Sequence, residues 1–97
     1  MGMMDAAALS KICLRAQTIC KKYDPSLTCE VFDAEGLARY ASLYRTNAPS
    51  EEQVGVFVYG DAQRVSQIDL HGLVAELEQL KEVWRVFLTF PRAHDLS

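Results

Sequence analysis

Cys13, Cys20 and Cys29, with His71 and His94, are the side chains of this chain best suited to covalent or metal chemistry. A thiol becomes a nucleophile or a metal ligand only as its thiolate, and two thiols share a metal or a disulfide only within a few ångströms. Cys13 and Cys20 stand seven apart in a segment that reads as helix, which separates them by two turns, about 10 Å. That spacing excludes a shared metal or a bond between them and favours packing on the apolar side. Cys29 falls in a β-prone run with no neighbour that would lower its pKa. All three read as reduced thiols, since their odd number and spacing match no zinc or redox pattern.

The remaining chemistry is no better supported. Ser10, Ser26, Ser42, Ser50 and Ser66 lack the glycine-flanked turn that presents a hydrolase nucleophile. His71 follows a cap in the first turn of a helix, where an imidazole faces solvent or packs partly, and His94 lies in the polar tail. Glu51-Glu52 and Glu76 with Glu78 read as solvated charge in a loop and on a helix. Gly36, Gly55, Gly60 and Gly72 are scattered and form no phosphate cradle. The expectation is therefore a protein without enzyme activity, cofactor or metal.

Two features point toward a partner. Lys11, Arg15 and Lys22, with Thr18 between them, fall along one line of the first helix, a positive stripe on a chain of net charge −3. An ordinary solvated helix face has the same look. Tyr40 and Tyr44 share one face of their segment, and Trp84 sits on an apolar run; such aromatics anchor interfaces or fill cores.

Elements must position these residues. Leu9, Ile12, Cys13, Ala16, Ile19, Cys20 and Tyr23 recur at steps of three and four, predicting a helix over 5–22 capped by Asp5 and stopped at Asp24-Pro25. Thr28 to Phe32 reads as a strand. Asp33-Ala34-Glu35-Gly36 has the chemistry of a hairpin turn, which makes Leu37 to Arg45 the return strand, although the segment also fits one helical face. Residues 46–53 read as an exposed loop. Val54 to Tyr59, apolar at nearly every position, predicts a central strand buried on both faces. Gly60 to Gln63 reads as a turn and Arg64 to Ile68 as its return strand. Asp69 caps a second amphipathic helix carrying Leu70, Leu73, Val74, Leu77 and Leu80. Val83 to Phe90 reads as the last strand, closed by Pro91, with a continuous helix from Leu70 as the alternative.

The expected architecture is α+β: a two-layer domain in the order α-β-β-β-β-α-β, with a mixed, mostly antiparallel sheet of about five strands under two amphipathic helices. The helix between the last strands is long enough for a crossover between parallel strands. A chain of 97 residues forms one domain, with 1–4 and 92–97 frayed. The opening residues lack the basic region and apolar stretch of a signal peptide, and no apolar run spans a bilayer, so a cytoplasmic protein without membrane insertion is expected. Its acidity disfavours nucleic acid. The functional expectation is a protein-binding module that partners another chain, including itself, as part of an oligomer or larger assembly. The alternatives are a small ligand-binding or catalytic domain with Tyr40, Cys29 or His71 as the polar groups of a helix–sheet pocket, and RNA binding through the basic first helix.

Overall fold

Asp5 starts the first helix. In the structure, a computed structural model that describes residues 5–40, 50 and 52–90, its carboxylate accepts the Ala8 amide at 2.8 Å and satisfies one amide of the first turn. Helix α1 spans Ala6–Tyr23 and buries Ile12, Ala16 and Cys20, spaced four apart on one face. It ends where Asp24 turns extended ahead of Pro25, and the Asp24 carboxylate accepts the Ser26 amide at 2.8 Å.

Strands β1 (Thr28–Asp33), β2 (Val54–Tyr59) and β3 (Val83–Thr89) form one sheet in the order β1-β2-β3. β1 runs antiparallel to β2, with Val31 opposite Val56; β3 runs parallel to it, with Val86 opposite Val56. β2 is central, as its unbroken apolar run predicts. The parallel partner is reached through helices α3 (Ala62–Val65) and α4 (Leu70–Glu78), the crossover that a parallel pair requires. Helix α2 (Ala34–Tyr40) follows β1 directly.

Alternation along β2 divides the core between two faces. Val54, Val56 and Val58 pack with Ile12, Ala16, Cys20, Leu27, Cys29, Leu73 and Leu77, under α1 and α4. On the opposite face Phe57 is stacked on Phe87 at 4.5 Å and meets the edge of Phe32 at 5.3 Å. The buried Leu37 of α2 reaches this face at Gly55, where an added Cβ would lie 3.1 Å from Leu37 and 3.2 Å from Phe87. Gly55 therefore lets α2 approach the sheet.

The expectation of about five mostly antiparallel strands is overturned: the described sheet has three strands, and four helices accompany it. The hairpin expected at Asp33–Gly36 is a helix start. Asp33 makes the forward bond its position suggests, accepting the Gly36 amide at 2.8 Å. A three-residue hairpin needs left-handed backbone at the glycine, and no described glycine has positive φ. The return strand expected over 37–45 is helical through Tyr40, and 41–45 lie outside the described residues. The strand expected over 64–68 is the single turn α3 with a turn after it. There Asp61 accepts the Gln63 amide, and the Ile68 amide bonds back to the Val65 carbonyl at 3.0 Å. Its apolar pair is thus spaced by three, a turn spacing, and alternation over so few residues has no strand-forming force of its own. The two-layer expectation also gives way, because α2 occupies the face opposite α1 and α4. The continuous helix from Leu70 does not form: Gln79 and Leu80 close α4, and β3 begins three residues later. The termini expected to fray, 1–4 and 92–97, lie outside the described residues. Among those described, no helix is long and apolar enough to cross a membrane.

Candidate functional site

The positive stripe of α1 divides along its length. Near the helix start, Lys11 and Arg15 border an open cleft of about 680 Å³, whose other walls are Ser50, Glu52 and Gln53 ahead of β2 and Lys81 and Glu82 ahead of β3. Ala8 and Ile12 of α1 add an apolar part to its lining. Arg15 Nη1 donates to Glu82 Oε2 at 3.4 Å, a long contact, while Glu82 Oε1 is buried without a hydrogen-bond partner among the described residues. Lys11 and Lys81 are exposed and have no ion-pair partner among the described residues. Lys81 and Glu82 were not legible as site residues, because their place beside α1 is set by the β2–β3 crossover and not by any local pattern.

Near the helix end, Lys22 serves the fold. Its Nζ donates to Glu76 Oε2 at 2.6 Å, and the neighbouring Tyr23 hydroxyl donates to Glu76 Oε1 at 2.7 Å, so two donors from α1 clamp one carboxylate of α4. The Lys22 ammonium holds the Glu76 carboxyl below its ordinary range, with Tyr23 adding to the effect. Tyr23, whose proton is held by that carboxylate, is pushed up to about 12. Asp24, fixed by the Ser26 amide and by Arg64 at 3.4 Å, is likewise lowered.

The thiols are closer than the sequence suggests. Cys29, on β1, packs with Cys20 in the core under α1 and is close enough to both Cys13 and Cys20 to perturb their thiols. Interaction with Cys20, together with burial, pushes the Cys29 thiol up, and interaction with Cys29 lowers Cys20. Burial, more than its neighbours, raises Cys13, which also accepts from Gln17 at 3.5 Å. All three are free thiols. No group of His, Cys, Asp or Glu among the described residues could hold a metal ion.

The aromatic leads part company. Trp84 stands where the β2–β3 register shifts, tilted against Phe87 at 6.2 Å and covered by the Arg85 guanidinium at 4.5 Å. Tyr40 is the last residue of α2 and Tyr44 lies outside the described residues. β3 forms one edge of the sheet, and its Leu88 is 41% exposed. Of the residues expected around a helix–sheet pocket, Cys29 and His71 do not line this cleft. Cys29 is buried in the core, and His71 is exposed on the first turn of α4. Comparison with known proteins finds no matching family model, no similar curated protein and no similar solved structure.

Proposed function

We propose that this domain is a non-enzymatic protein-binding module that pairs with a second copy of itself along the outer edge of β3, in the cytoplasm. The observation that carries the reading is the place of β3: an apolar strand of seven residues at a sheet edge, with no strand against its outer side among the described residues. Such an edge offers a row of backbone donors and acceptors to an added strand.

Self-pairing fits the side chains. Antiparallel pairing about Phe87 sets Val86 beside Leu88 of the second copy and Arg85 beside Thr89, so the exposed leucine is covered and the only charge of the strand meets a neutral partner. Pairing about Arg85 would place two guanidinium groups together, which selects the first register. The shift near Trp84 and the charge of Arg85 guard the beginning of the strand, leaving Val86 to Thr89 as the segment that pairs. Three free thiols suit a reducing compartment.

Light scattering across micromolar concentrations tests the reading. The expected result is twice the chain mass, reduced to a single chain by Leu88→Lys, which sets an ammonium against Val86 of the copy. A wild-type protein that stays monomeric throughout, or a Leu88→Lys variant that dimerises as well as wild type, defeats it.

A further inference from the structure

We propose that the cleft between α1 and the segments leading into β2 and β3 binds a small multivalent anion, held by Lys11, Arg15 and Lys81. Three cations, Lys11 and Arg15 from α1 and Lys81 from the segment leading into β3, border one concavity, and its size lies within the range of small-molecule sites. Exposed lysines on a solvated face point apart into water; here Lys11 and Lys81, 70 positions apart in sequence, border one space, without ion-pair partners among the described residues. Arg15 is only loosely engaged by Glu82, whose second oxygen has no donor among the described residues, so its guanidinium retains N–H groups for an incoming ligand.

Charge selects the ligand class. Glu82 already offsets Arg15 and Glu52 stands on the wall, so a single negative charge would gain little in an open cleft. An anion with two or more charges can engage Lys11, Arg15 and Lys81 together, and charge-assisted bonds to phosphate or carboxylate oxygens are the strong ones. Phosphate and carboxylate compounds share this chemistry. The apolar lining of Ala8 and Ile12 tolerates the carbon skeleton of an organic anion.

The test is an amide NMR titration of the full chain at low ionic strength with inorganic pyrophosphate and, separately, citrate. Saturable shifts at Lys11, Arg15, Gln53 and Glu82 with either probe support the site, and the stronger probe names the anion class. Lys11→Ala combined with Lys81→Ala should weaken binding about tenfold or more, while Glu52→Gln should tighten it, because it removes the opposing charge. Lys21→Ala, at the other end of α1, should leave it unchanged. Both lysines are exposed, and circular dichroism confirms that the double variant is folded. The proposal is overturned if neither probe gives a saturable shift at millimolar concentration, or if the double variant binds as wild type does. Neither result bears on pairing at β3.

Discussion

At the residue scale, identical side chains are given different chemistry by their neighbours. Cys20 and Cys29 are buried, and Cys29 has its thiol pushed up by interaction with Cys20 and by desolvation, so it resists attack while the fold is intact. Cys13 is only partly covered. Titration of the native protein with a disulfide reagent should label Cys13 alone on the fast timescale, and all three thiols in denaturant; rapid labelling of Cys29 in native protein would contradict this burial. Glu76 carries a linked pH dependence. Its folded pKa is depressed, so it stabilises the fold above its unfolded pKa, and that stability is lost as pH falls through the folded value. Tyr23 has the opposite sign: its folded pKa is raised, so its contribution is full below about 10, its ordinary value, and is lost as pH rises through about 12. In Glu76→Gln the stability difference from wild type should be present at neutral pH and close in acid, measured by urea unfolding. Carbon-13 NMR of labelled tyrosine should show Tyr23 returning toward its ordinary pKa in the same variant.

At the scale of elements, the local signals that start helices were stronger than those that continued strands. Asp5, Asp61 and Asp69 each accept an amide of the turn that follows, as short polar caps do. Asp69→Ala should cost about 1 kcal/mol in chemical denaturation, with α4 helicity reduced. Gly72 beside it has a second constraint, since an added Cβ would collide with the Asp69 carboxylate and meet the Tyr23 hydroxyl at 3.1 Å. Gly55 governs the second face of the sheet. Gly55→Ala crowds Leu37 and Phe87, both close to the Cβ position, and should separate α2 from β2 at a cost of roughly 1–3 kcal/mol, the usual range for overpacking. Amide exchange over residues 34–40 should accelerate while α1 remains protected. Equal protection in the variant would show that α2 does not depend on this approach.

Across the whole molecule, α1 and α4 meet over one face of the sheet and share a core with β2, so the two halves of the chain should unfold together. Leu77 is fully buried there. Leu77→Ala should lose about 2–5 kcal/mol, and the transitions followed by Trp84 fluorescence and by far-ultraviolet circular dichroism should remain coincident. Separate transitions would mean that the β3 edge melts independently of the core. The same packing explains the fate of the positive stripe. Lys22 faces α4 and is spent on Glu76, whereas Lys11 borders a cleft that exists only because β3 is brought back beside β2.

The apolar spacing of residues 9–23 was enough to set α1 and its buried face, because helical periodicity and caps act between residues a few positions apart. The continuous apolar run of residues 54–59 likewise marked the central strand. The tertiary structure alone decided that residues 34–40 coil and that 62–68 do not extend. Asp33 makes the same forward bond in a hairpin or at a helix start, so the choice falls to Leu37, which is buried against the far face of the sheet. The cleft belongs to the same category: Arg15 and Glu82 are 67 residues apart, and no local force relates them until the parallel crossover closes.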